Sequence, residues 1–204
     1  MFNFVLLKET IEQMKNRSTL IQILVITFII FVAAFSRLIP HNMNLTPVGA
    51  IALFSGAYLG WNWKSFVIPL VAIFVSDLIL NNYVYSQGTG FQLFYDGALW
   101  VYGTYALIVV LGAWWIKKVN VMRVFTGALG AAVVFFLVTN FACWPGTTYT
   151  PDMKGLMDCY IAGIPFFRGT LTGDIVFSAL LFGSYAIIKM KYFSVNQIGE
   201  TTTL

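Results

Sequence analysis

Six long runs of apolar residues follow one another along the chain, separated by short polar segments. A membrane-crossing helix needs about 20 mostly apolar residues, whereas a strand of a membrane β-barrel needs only about 10, with alternating polarity. These runs are longer than such strands and are apolar on all sides. The pattern therefore predicts an all-α, polytopic bundle of six transmembrane helices at 20–38, 48–59, 66–80, 99–116, 124–141 and 170–188.

The runs divide the chain into one membrane domain and two flanking segments. Residues 1–19 are expected to form an amphipathic helix on the cytoplasmic membrane surface, with a frayed tail as the alternative. Residues 20–191 form the six-helix transmembrane domain, and residues 192–204 are expected to be a cytoplasmic tail. Because only residues 60–64 join the second and third runs, these two short spans are predicted to form a hairpin.

Composition supports a membrane protein. Of the 204 residues, 59% are hydrophobic and only 10% are charged, and the mean hydropathy is +0.80. Most side chains must therefore face lipid or other helices, which excludes a soluble fold. The lipid bilayer is thus an expected partner. The net charge of +4 is explained by membrane topology and does not indicate a nucleic-acid interface.

Lysine and arginine are distributed unequally between the two sides of the predicted bundle. Cytoplasmic loops of membrane proteins carry the excess of these residues. A cytoplasmic N-terminus places nine of the twelve on the inner side and three outside, so both termini are predicted to be cytoplasmic. The inner set is Lys8, Lys15, Arg17, Lys64, Lys117, Lys118, Arg123, Lys189 and Lys191, and the outer set is Arg37, Lys154 and Arg168.

Acidic residues concentrate on the opposite side. With this topology, five of the eight acids lie outside or in the outer half of the spans: Asp77, Asp96, Asp152, Asp158 and Asp174. A carboxylate inside a span is costly unless it meets a partner or water. Arg37 is therefore predicted to pair with Asp77 or Asp174. The alternative interpretation is that such a pair only holds helices together.

A polar pocket is predicted at this outer side. Thr170, Asp174 and Ser178 recur every four residues, so they form one stripe that should face the bundle interior. Polar anchors between aromatic walls are typical of small-molecule sites, although aromatic residues near an interface also occur simply as membrane anchors. The predicted substrate-binding set is Arg37, His41, Asn44, Asp77, Phe94, Tyr95, Trp100, Asn140, Trp144, Arg168 and Asp174.

The sequence provides little for catalysis or cofactors. It has no phosphate-binding glycine loop, no zinc-protease motif and no nucleophile motif, so neither a cofactor nor a metal is expected. Cys143 and Cys159 fall in the predicted outer loop at 141–167, where they form either a disulfide or two unpaired thiols. With one histidine and two cysteines, a structural zinc site is not expected. Cys143 or His41 could still contact a metal that is part of a bound ligand.

Two segments carry a family resemblance. The sequence RLIPHNMNLTPVGA at 37–50, continuing to Ser76-Asp77-Leu78, and the sequence IPFFRGTLTGD at 164–174 resemble signatures of a bacterial family of uncharacterised membrane transport proteins. More distantly, the layout resembles the substrate-binding S components of energy-coupling factor transporters. The resemblance implies a protein of the bacterial inner membrane that captures a vitamin-like solute from outside and docks on a shared transmembrane and ATPase module.

Two departures from that pattern affect the expected partners and substrate. S components often carry Ala-x-x-x-Ala in the first span for docking, whereas Ala33 and Ala34 are adjacent here. Solitary relatives are thought to act alone on cobalamin, with a cysteine contacting the cobalt. Here only Cys143 or Cys159 could take that role, so cobalamin is one candidate among several.

Two other classes of function remain open. One is a membrane-embedded enzyme that acts on a lipid or lipid-linked substrate, with Asp77, Asp174 and His41 as acid and base groups. The other is a structural membrane subunit, in which Arg37 and the aspartates only hold helices together. The lack of a nucleophile or metal set favours binding over catalysis.

The charge distribution gives a testable topology. In a chain without its native cysteines, Thr148→Cys should react with a membrane-impermeant thiol reagent in intact cells, and Lys118→Cys should not, because their loops are predicted on opposite sides. The reverse labelling pattern would contradict the topology.

Overall fold

Six α-helices make up the computed structural model, which describes residues 2–39, 44–85, 90–144 and 149–193. No strand occurs in these ranges, so the predicted all-α class is confirmed. The predicted tail at 192–204 lies almost entirely outside the described residues. The helices are α1 (Phe2–Ser36), α2 (Val48–Leu59), α3 (Trp63–Ile79), α4 (Ala98–Trp115), α5 (Val121–Cys143) and α6 (Met153–Ile188).

Five of the six helices are long and apolar enough to cross a membrane. Short π-helices continue α3 at Leu80–Val84 and α6 at Lys189–Phe193. With them, the spans are Asn16–Ser36, Trp63–Val84, Ala98–Trp115, Val121–Cys143 and Met153–Tyr192. Large apolar side chains on their outer faces are exposed, Leu24 and Phe28 of α1 among them. In water such a surface would be unfavourable, whereas lipid accommodates it. The protein is therefore a polytopic helical membrane protein.

Helix α2 is the exception in length and in position. Its 12 residues extend about 18 Å at 1.5 Å per residue, whereas the hydrocarbon core is about 30 Å thick. Every residue of α2 from Val48 to Gly56 is buried, and α2 contacts each of the other five helices. It is the central helix of the bundle.

Glycines allow α2 and α4 to approach until their backbones touch. A Cβ atom at Gly56 would overlap the carbonyl oxygen of Val109, and one at Gly112 would overlap the carbonyl oxygen of Leu53. Small residues at such contacts are characteristic of helix pairs in membranes, where close packing replaces the hydrophobic effect as the source of stability.

The two ends of the bundle differ in charge. At one end α1 and α3 finish and α2 and α4 begin, and Asp77 and Asp174 lie there; we call it the acidic end. At the other end lie the turn at 60–62 and the loop at 116–120, next to Lys64, Lys117, Lys118 and Arg123; we call it the basic end. This separation agrees with the sequence-based topology, while the orientation in the cell stays a prediction.

The helix boundaries differ from the sequence-based ones in two places. Residues 2–36 form one continuous helix, so the expected surface helix and the first span belong to the same element; its location on the membrane surface stays a prediction. Helix α6 begins at Met153 rather than near residue 170, because hydropathy marks only the apolar part of a helix. The loop predicted at 141–167 is therefore mostly helical.

The α2–α4 contact predicts unequal effects for two glycines of the same helix. Gly112→Ala should lower the unfolding free energy in detergent by about 1–3 kcal/mol, because the added methyl group overlaps a backbone carbonyl. Gly103→Ala is the matched control, since nothing lies within 4 Å of a Cβ there. Equal effects of the two changes on the unfolding midpoint would mean that the close approach is not important for stability.

Candidate solute-binding site

A partly buried ion pair joins α3 to the segment that follows α1. Arg37 Nη1 lies 2.7 Å from Asp77 Oδ1 and donates a hydrogen bond of 2.7 Å to Ser76 Oγ. The side chains are 14% and 7% exposed. Of the two partners predicted for Arg37, the structure selects Asp77.

Two tyrosines lie near the Asp77 carboxylate of this ion pair. The Tyr102 hydroxyl donates a hydrogen bond of 2.7 Å to Asp77 Oδ2, so both oxygens of the carboxylate have partners. Tyr95 lies in the loop before α4, and burial, together with the nearby Asp77 charge, raises the pKa of Tyr95 to about 12. Tyr95 therefore presents a neutral hydroxyl near neutral pH, which can donate or accept a hydrogen bond.

Asp174 holds the buried N-terminus of α2. The first amide groups of a helix have no partner within it, and Pro47 at the N-cap position offers no side-chain hydrogen bond. The Asp174 carboxylate instead accepts a hydrogen bond from the backbone N–H of Ala50. A Cβ at Gly49 would overlap that carboxylate, so glycine is needed for this approach.

Asp174 and Arg37 line the same cavity, which measures about 180 Å³. Aromatic rings form part of its wall, and those of Tyr105 and Phe135 stack with centroids 5.6 Å apart. The full lining is Arg37, Asn44, Thr46, Gly49, Tyr95, Val101, Tyr105, Phe135, Thr170 and Asp174.

A second cavity of about 230 Å³ lies between α5 and α6. It shares Asn44, Phe135 and Thr170 with the first, so the two are neighbours. Asn44 adopts a left-handed backbone conformation, with φ 59°, which asparagine tolerates better than most residues. The other lining residues are Phe136, Thr139, Asn140, Cys143, Gly163, Phe166 and Phe167.

Two buried atoms of the first cavity's lining residues are left without hydrogen-bond partners among the described residues. They are Arg37 Nε, a donor, and Asp174 Oδ2, an acceptor. Asp174 is only 2% exposed, and an unsatisfied buried polar group destabilises a fold by about 1–3 kcal/mol, more when it is charged. Both residues line the first cavity, although the two atoms themselves are covered by the protein.

The structure brings together some of the predicted site residues and separates others. Arg37, Asn44, Tyr95 and Asp174 line the first cavity, Asn140 lines the second, and Asp77 fixes Arg37. His41 lies outside the described residues.

The remaining predicted residues lie outside both cavity linings. Trp100 and Phe94 are about half exposed, although Phe94 packs on Phe74 and Tyr102. The Trp144 indole donates to the carbonyl oxygen of Thr150, and Arg168 is exposed. A position near the outer side of a span does not decide whether a side chain points inward. A role of these four residues in binding stays a prediction.

Several residues that build the site were missing from the predicted set. Tyr102 and Tyr105 belong to the aromatic-rich stretch at 83–105, and their spacing of three residues on one helix face was a usable signal. Thr170 was recognised only as part of the polar stripe, whose inward direction the structure confirms: Asp174 and Ser178 are buried. Phe135 had no distinguishing signal in an apolar span.

The two cysteines lie on helices rather than in a loop. Cys143 ends α5 and is exposed, whereas Cys159 is buried in α6, and both are free thiols. The Cys159 thiol donates a hydrogen bond of 3.4 Å to the Asn140 carbonyl oxygen. Of the two alternatives for these residues, the structure has unpaired thiols. Within the described residues no group of three metal-binding side chains occurs.

The family comparison matches residues 17–198, nearly the whole chain. The chain belongs to DUF6580, a family of unknown function. Comparisons with curated proteins and with solved structures found no match.

The Arg37–Asp77 pair predicts a strong coupling between two substitutions. Arg37→Ala should destabilise the purified protein by about 3–5 kcal/mol, because it leaves a carboxylate without its partner in a poorly solvated site. Asp77→Asn in the same chain should restore part of the loss. Lys154→Ala, which removes an exposed ion pair, is the control and should leave the unfolding midpoint unchanged. Strictly additive losses for Arg37 and Asp77 would contradict the coupling.

Proposed function

We propose that this protein binds a compact, vitamin-like solute at its acidic end, on the outer side of the bacterial inner membrane, and passes it into the cell in the manner of S components. The observation that carries the binding proposal is a pair of buried atoms, Arg37 Nε and Asp174 Oδ2, which have no hydrogen-bond partner among the described residues and belong to residues that line one cavity. The transport step rests on the sequence resemblance and on the absence of a catalytic motif.

The chemistry of the cavity defines a class of solute. Asp174 Oδ2 accepts a hydrogen bond, which suits an ammonium, amidine or amide N–H group of the solute. Arg37 Nε donates one, which suits a carboxylate or a ring carbonyl. The Tyr95 hydroxyl can donate or accept a hydrogen bond. The solute would therefore carry donor and acceptor groups on the same small molecule.

The walls and the volume of the cavities restrict the class of solute further. Tyr105 and Phe135 provide flat apolar surfaces next to these polar groups, and aromatic walls favour a planar ring. Cavities of about 180 Å³ and 230 Å³ lie below the usual range of roughly 300–1,000 Å³ for drug-sized ligands. A compact heterocycle suits this space, and most of a cobalamin molecule would have to lie outside it.

The first helix offers a poor docking surface for an energising module. Ala33 and Ala34 are 8% and 0% exposed and belong to the core of the bundle. A partner helix could reach these alanines only if α1 moved. This burial supports action without the usual module, or docking through another surface.

Ligand-dependent stability tests the proposal. A ligand that binds only the folded state raises the melting temperature by mass action, so one or a few compounds from a panel of vitamins and precursors, cobalamin included, should stabilise the purified protein. Asp174→Asn should weaken that ligand's binding at least tenfold, because the ligand's charged or donor group loses its carboxylate partner.

The control for this experiment is Asp158→Asn, which removes an exposed carboxylate of the same helix that lies outside both cavities. It should leave ligand binding unchanged. If no compound raises the melting temperature, but a lipid-linked substrate is chemically altered and Asp174→Asn abolishes the reaction, the protein is an enzyme and the transport proposal is wrong.

A further inference from the structure

A third cavity, of about 240 Å³, opens at the basic end between α4 and α5. Two adjacent indoles, Trp114 and Trp115, and two cations, Lys117 and Arg123, form its lining; we call it the basic groove. The indole rings lie with centroids 5.9 Å apart. Trp115 is held in place by a hydrogen bond of 2.9 Å from its Nε1–H to Thr126 Oγ1.

No acidic residue in the described part of the chain pairs with the cations of the basic groove. The chain contains no Asp or Glu from residue 97 to residue 151, which covers α4, α5 and the loop between them. Glu12 is on α1, which contacts neither α4 nor α5. Within the described residues the ion pairs are those of Arg37 with Asp77 and Lys154 with Asp158, so neither Lys117 nor Arg123 takes part in one.

The position of the basic groove restricts what can occupy it. Trp114 and Trp115 end a helix that is long enough to cross the membrane, and indoles at such ends lie at the level of the lipid headgroups. They are 58% and 41% exposed. The groove therefore combines an apolar ring surface with positive charge at the depth of the lipid headgroups. An anionic phospholipid matches both features there, because its acyl chain is apolar and its phosphate is negatively charged.

We propose that the basic groove binds the headgroup of an anionic phospholipid, with the phosphate between Lys117 and Arg123 and the upper acyl chain against the two indoles. Basic pockets of this kind between helices on the cytoplasmic side are known to hold phosphate-bearing lipid headgroups. The site is separate from the solute cavity and does not depend on the proposed transport function. By the charge-based topology, it would select lipids of the cytoplasmic leaflet.

Lipid binding can be measured on the intact protein by native mass spectrometry, with phosphatidylglycerol titrated against phosphatidylcholine as the neutral reference. The wild-type protein should bind phosphatidylglycerol more tightly. Each cation near an anionic lipid contributes about 1 kcal/mol, which is about fivefold in affinity. Lys117→Gln and Arg123→Gln should therefore each weaken phosphatidylglycerol binding by about fivefold, and Arg123→Lys should retain most of it.

The matched control is Lys118→Gln, which removes the same charge from the neighbouring position without touching the groove lining. It should reduce binding much less than Lys117→Gln. Equal losses at Lys117 and Lys118, or equal binding of the two lipids by the wild type, would overturn the proposal. Displacement of the lipid by millimolar inorganic phosphate would also overturn it, because a free phosphate site rather than a lipid site would then be present.

Discussion

The bundle depends on burying a helix that is too short to cross the membrane. Helix α2 begins at the buried residue Val48. Its first amide groups have no partner within the helix, and nonpolar surroundings make such groups costly. The Asp174 carboxylate satisfies Ala50. It can do so because Gly49 has no side chain to block it. The same requirement places a buried acidic group among the helices at the acidic end of the bundle.

That acidic group links the fold to the candidate site. One hydrogen bond of Asp174 serves the structure, while Oδ2 has no partner among the described residues. Arg37 is similar: its Nη1 contacts Asp77 and Ser76, whereas its Nε has no partner in the described part of the chain. Both residues line one cavity. Groups that anchor helices and also leave hydrogen-bonding capacity unused are what a preformed binding site requires.

The two ends of the bundle differ in how deeply their charged side chains are buried. At the acidic end, the carboxylates of Asp77 and Asp174 are buried, so each must have specific partners or a ligand. At the basic end, Lys117 is exposed and Arg123 partly exposed next to the two indoles, and a charged membrane surface can serve as their common partner. The proposed solute site and the proposed lipid site follow from this difference in burial, since both ends bear charge but only one hides it from water.

Hydropathy and charge are local properties of the chain, so the fold class, the number of apolar helices and the end at which the acids gather could be predicted from the sequence. It also anticipated the inward polar stripe of α6. Three outcomes could not be predicted without the packed bundle: Arg37 pairs with Asp77 rather than Asp174, Asp174 caps α2, and Trp100, Trp144 and Arg168 lie outside the cavities. Those outcomes depend on which helices are in contact and on how each helix is rotated about its axis. Both are set by packing between residues that are far apart in the chain.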